Sequence, residues 1–97
     1  MTMVIGTARI AWRIHGCHSL KEKRKVIVSM ITRLRNAFNA SVAETAFNDV
    51  YQKAEIGVAM VGNDQQVINA KMDKLLDMAE DMNLAEMLSA DIEFMHL

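Results

Sequence analysis

From Met3 to Ile14 the chain alternates: Val4, Gly6, Ala8, Ile10, Trp12 and Ile14 fall on one side of an extended backbone, with Thr7, Arg9 and Arg13 on the other. That period of two is the pattern of a strand with one buried face. His15-Gly16-Cys17-His18 breaks it as a short turn, and Ser19-Leu20-Lys21-Glu22 has the form of a capping box, with Ser19 at the N-cap and Glu22 three residues on. Leu20, Ile27, Met30, Ile31, Leu34 and Phe38 then recur at helical spacing and predict a helix running to about Phe38 with one apolar face. Asn39 to Ala46 is weakly strand-like, and Phe47 to Lys53 reads as a connection containing one helical turn. Ala54 to Gly62 is apolar apart from Glu55, as a central strand should be. Asp64 can cap a second helix carrying Val67, Ile68, Met72, Leu75, Leu76, Ala79 and Met82, with Asn83 as its left-handed stop. In Ala90 to Leu97, Ile92 and Phe94 alternate with Asp91 and Glu93, which predicts a last strand.

Strand, helix, strand, strand, helix, strand is the split β-α-β arrangement, so the expected fold is α+β and ferredoxin-like, with a four-stranded antiparallel sheet. Right-handed crossovers place the first and third strands side by side in the centre and both helices on one face. The other face is then uncovered. It should carry Thr7, Arg9, Ala11 and Arg13, then Glu55, Gly57, Ala59 and Val61, then Asp91 and Glu93, while Trp12 and Phe94 lie under the helices. With 97 residues and no proline, repeat or linker, residues 1–97 read as a single domain. A domain of this size has only modest stability, which dimerisation would supplement.

Composition adds a charge asymmetry. The net charge is −1, yet residues 1–35 hold eight Lys and Arg against Glu22 alone, and residues 36–97 hold three Lys against eleven acids. Either a basic patch or internal ion pairing follows. No apolar run approaches the roughly 20 residues that span a bilayer, and Arg9 and Arg13 interrupt the start, so no membrane segment or signal peptide is expected. Cys17 is the single cysteine, which excludes an intrachain disulfide and suits a reducing cytoplasm.

The run Ile14-His15-Gly16-Cys17-His18-Ser19-Leu20-Lys21-Glu22-Lys23-Arg24-Lys25 resembles the segment that marks the bacterial YlxP-like family of small uncharacterised proteins. Similarity continues through Arg33 to Asn39, Ser41 to Glu44, Ala54 to Ala59 and Asp91 to Glu93, with tyrosine at position 51 where members commonly have tryptophan or leucine nearby. The resemblance implies a ferredoxin-like fold and no defined biochemistry. Genes of the family often sit among those for translation and ribosome maturation, which implies RNA as a partner.

The residues themselves offer one main candidate site. Free N–H groups and the positive end of the helix dipole at His15, Gly16, Cys17, His18 and Ser19 favour an anion. Lys21, Lys23, Arg24, Lys25 and Arg35 add charge that suits RNA phosphates. The plainer reading is a capped, solvated surface helix. An open sheet face without aromatics argues against base stacking there, so structured RNA met by the first helix is the expected mode.

Other chemistries are weaker. Arg9 and Arg13 read as cross-strand partners of Asp91 and Glu93. His15, Cys17 and His18 fall one ligand short of a structural zinc site, with only distant His96 to add, so no metal and no cofactor are expected. Cations around Cys17 would sharpen it as a nucleophile, but no base and orienting acid accompany it at a recognisable spacing. Acylphosphatases share the fold and hold phosphate in the first strand-to-helix loop, yet their glycine-rich loop and arginine are missing, so no enzyme is expected. Met30, Met72, Met78 and Met82 read as core filler. The alternative to an RNA-binding protein is a homodimeric interaction module that pairs through the open sheet face.

Overall fold

The computed structural model describes residues 2–97. Six elements follow in order: β1 (Val4–Arg13), α1 (Leu20–Ala37), β2 (Ser41–Ala46), β3 (Lys53–Gly62), α2 (Gln65–Asp81) and β4 (Glu86–His96). The strands form one antiparallel sheet in the order β2-β3-β1-β4. This is the ferredoxin-like arrangement, with β1 and β3 central. The alternating residues Val4, Ala8, Ile10 and Trp12 of β1 and Ala54, Ile56, Val58 and Met60 of β3 are buried against both helices. Ile27, Met30 and Leu34 of α1 and Ile68, Met72, Leu75 and Ala79 of α2 complete the core.

Local chemistry sets the ends of these elements. Ser19 caps α1: Glu22 N donates to Ser19 Oγ at 3.1 Å, while the Glu22 carboxylate reaches one residue ahead of the N-cap, accepting from His18 N at 2.8 Å. Gly16 turns the chain into α1 with φ of 69°. Asp64 caps α2 by accepting from Gln66 N at 2.9 Å, and Asn83 stops it with φ of 54°. Between β2 and β3 the expected helical turn is absent. Val50 N instead bonds Phe47 O at 3.0 Å in a reverse turn, and Phe47 takes φ of 62°. β4 begins at Glu86, four residues before the alternation predicts, because the register shifts opposite Ala11 and Trp12. The bulge at Leu88 breaks the period of two.

The open face carries the expected residues in rows across the sheet. Ser41, Ala59, Thr7 and Glu93 form one row, and Ala43, Gly57, Arg9 and Asp91 the next. Ala11 lies between Glu55 and Ser89 in a third. Arg9 faces Asp91 directly, as expected, whereas Glu93 faces Thr7 and Arg13 faces Glu86. No ion pair closes there, however: among the described residues only His15–Glu86 and Lys23–Glu44 lie within salt-bridge distance.

Candidate functional site

A capped 18-residue helix lying on a sheet presents its outer face to solvent, and the placement of each cation on α1 follows from that geometry. Lys21, Arg24 and Lys25 stand at spacings of three and four residues and are all exposed. They surround Val28, itself 61% exposed, and Ser29. None of the three forms a salt bridge with an acid of α2 or of any other described element. The basic stripe therefore faces outward and unneutralised.

Arg35 continues the stripe two turns beyond Val28. Its Nη2 donates to the carbonyl oxygen of Val42 at 2.7 Å, which ties α1 to edge strand β2 while the residue as a whole stays exposed. From Lys21 to Arg35 the stripe is about 21 Å long, at ~1.5 Å rise per residue. Arg33 is exposed on the opposite flank of the apolar face.

Lys23 does not belong with them. It is 1% exposed, its Nζ lies 2.9 Å from Glu44 Oε2, and it also donates to the carbonyl oxygen of Phe47. The expectation that it offers charge to an anion is corrected by its position on the wheel. Lys23 falls inside the arc bounded by Met30 and Ile27, so its side chain enters the core and must find a partner there. The same wheel was the signal in the sequence that could have placed it.

The loop ahead of α1 is likewise engaged within the chain. His15 Nε2 contacts Glu86 Oε1 at 2.6 Å, across from the start of β4. Cys17 is buried with its Sγ 3.4 Å from Ser19 O, and its own carbonyl oxygen accepts from Gln52 Nε2 at 3.2 Å. His18 N and Ser19 Oγ both bond Glu22. The side chains of His15 and Cys17 thus have different partners, and no group of three or more potential metal ligands occurs among the described residues. Of the N–H groups in the first turn of α1, that of Glu22 is taken up by the Ser19 side chain.

No helix of the structure is long and apolar enough to cross a membrane. A family model described as "Protein of unknown function (DUF503)" matches residues 5–92. The chain is also similar to the "Uncharacterized protein YlxP" of Bacillus subtilis (strain 168), with 33% identity over 73 residues that cover 75% of this chain and 79% of that one. Among solved structures, "Structural Genomics, protein YJCS" superposes with a TM-score of 0.54 at 10% identity, covering 92% of this chain and 96% of that one. "De novo designed protein Foldit4" does so with a TM-score of 0.51 at 15% identity, covering 98% and 96%. Both likenesses concern the fold alone.

Proposed function

Because the chain belongs to the DUF503 family, described as proteins of unknown function, it inherits no activity, and we propose from its own surface that it binds structured RNA through α1. The observation that carries this is the exposed, unpaired triad Lys21, Arg24 and Lys25 on one helix face, in a protein whose overall charge is −1. A face kept basic against an acidic remainder attracts a polyanion and orients it. Arg35 extends it to a length that spans several phosphates.

The mechanism is electrostatic. The side chains neutralise backbone phosphates and release counterions, with little reading of sequence. None of the strand residues on the open sheet face is aromatic, since Trp12 and Phe94 lie on the helix side, which disfavours stacking of single-stranded bases on the sheet. A non-enzymatic accessory role in ribosome assembly or translation, in the cytoplasm, fits this surface.

The test is the variant with Lys21→Glu, Arg24→Glu and Lys25→Glu, measured for affinity to an RNA hairpin against salt and for co-sedimentation with ribosomal subunits. The wild type should bind with a logarithmic salt slope of about −2 to −3, as three neutralised phosphates require. The variant should lose binding while its thermal unfolding stays unchanged. Equal binding by both proteins, or none by the wild type, overturns the proposal.

A further inference from the structure

Like charges directly opposite each other across a sheet repel, because their Cβ atoms stand only ~5 Å apart. Arg13 at the end of β1 and Lys53 at the start of β3 are such a pair. Both are exposed on the open face, and among the described residues neither has an acid within 4.0 Å. The backbone fixes them there, since Ile14 N bonds Gln52 O at 2.9 Å and carries the ladder one step past the pair.

Two carboxylates placed to neutralise the pair are held by other groups. Glu86 is the register partner of Arg13 on β4, yet its Oε1 lies 2.6 Å from His15 Nε2. Glu55 stands two residues along β3 from Lys53, and its Oε2 accepts from Thr45 Oγ1 at 2.6 Å. Arg13 is always charged, so a sheet end shaped for stability alone would pair Glu86 with it. The Lys53 ammonium lies over the Phe47 ring, 4.4 Å from its centroid, a contact that holds its position and leaves its charge in place. Here the sheet ends in an open hollow of about 460 Å³ lined by Arg13, His15, Gln52, Lys53 and Leu88. Leu88 is the extra residue of the β4 bulge, a feature that re-aims side chains beside sites.

We infer that Arg13 and Lys53 hold a phosphate monoester, with His15 keeping the site open by drawing Glu86 aside. Charge selects this ligand class. A phosphate monoester carries about −1.5 to −2 at pH 7, which matches two fixed cations, whereas a carboxylate or a phosphodiester brings a single negative charge. The guanidinium gives two parallel N–H bonds to two phosphoryl oxygens, and the ammonium adds a point charge beside them. An anion between the cations turns their repulsion into attraction to a shared partner. The same chemistry is offered by the terminal phosphate of an RNA strand and by a small phosphorylated molecule. The site uses no residue of α1 and does not rest on the RNA reading.

Nuclear magnetic resonance on the full chain, titrated with inorganic phosphate and separately with sodium chloride at equal ionic strength, tests this. The amide signals of Arg13, His15, Gln52 and Lys53 should shift saturably with phosphate alone. Arg13→Gln with Lys53→Gln should raise the phosphate dissociation constant ~10-fold or more, as the loss of charge-assisted bonds requires. Phosphate should raise the unfolding temperature of the wild type and leave that of this variant unchanged, with circular dichroism showing both folded. His15→Ala releases Glu86 onto Arg13 and should weaken phosphate binding, and adding Glu86→Gln should restore it. With phosphate bound, an RNA hairpin bearing a 5′-phosphate or a 5′-hydroxyl separates the two sources. Tighter binding of the phosphorylated form, lost in the Arg13 and Lys53 variant, assigns the group to an RNA end, and equal binding assigns it to a small molecule. No saturable shift with phosphate, an equal shift with chloride, or a cation-pair variant that binds phosphate as the wild type does overturns the inference.

Discussion

Lys23 and Glu44 meet at 2.9 Å beneath the first turns of α1, with the lysine side chain 2% exposed and the glutamate 19%. The pair joins the helix to the last part of β2, and the same Nζ reaches the carbonyl oxygen of Phe47, where the chain leaves β2 in a left-handed conformation. A non-glycine residue held there costs roughly 1–2 kcal/mol, so Lys23 both neutralises a half-buried acid and steadies a strained exit.

Removing one partner should therefore hurt more than removing both. Lys23→Ala leaves Glu44 without its counter-charge and should destabilise by about 3 kcal/mol, whereas Lys23→Met with Glu44→Gln should recover much of that loss. Urea unfolding followed by the fluorescence of Trp12, the lone tryptophan and fully buried, reads both variants. Equal losses for the single and double variants would show that the carbonyl bond, not the ion pair, carries the effect.

How far this was legible in the sequence depends on the range of each interaction. Period-two alternation in β1 and the Ser19–Glu22 cap are local, and both appear in the structure with ends shifted by a residue. The hydrophobic side of Trp12 and Phe94 was also readable, because alternation fixes a face before any partner is known. The burial of Lys23 had a local signal in the helical wheel, but the identity of Glu44 as its partner required the packing of α1 on β2. The end of β4 near Glu86 was hidden by a bulge, which adds a residue and inverts the pattern. The facing cations Arg13 and Lys53 draw on two strands and meet only once their register is set.

Close approach explains one glycine. A Cβ at Gly6 would lie 2.5 Å from Ile68 Cγ2, and Ile68 is itself buried in the core. Gly6→Ala should push α2 off β1 and destabilise by about 1–3 kcal/mol, measured by thermal unfolding. Pairing it with Ile68→Leu, which removes the β-branch methyl that the new Cβ meets, should change that penalty in a double-mutant cycle; strict additivity would argue against direct contact.

Arg35 has two roles that a single substitution can separate. Its bond to Val42 O supports β2, the shorter of the two edge strands. Arg35→Ala should cost about 1 kcal/mol and speed hydrogen exchange in β2, leaving β1 and β4 unchanged. Exchange that rises evenly over the whole sheet would mean a global loss rather than an edge effect.

Single neutralising substitutions give the sharpest test of which cations meet phosphate. If Lys21, Arg24 and Lys25 each neutralise one phosphate, Lys21→Gln, Arg24→Gln and Lys25→Gln should each reduce the magnitude of the salt slope of RNA binding by ~0.7–0.9. Arg33→Gln removes the same charge from the same helix but from its other flank, and should leave the slope unchanged. That control separates a bound stripe from general attraction, because a diffuse field depends on net charge and would respond equally to all four. Lys23→Met should also leave the slope unaltered: its charge is already opposed by Glu44 in the folded protein and releases no counterion on binding. An equal response at Arg33 and at the triad would place the RNA on the protein's overall field and remove α1 as a specific contact.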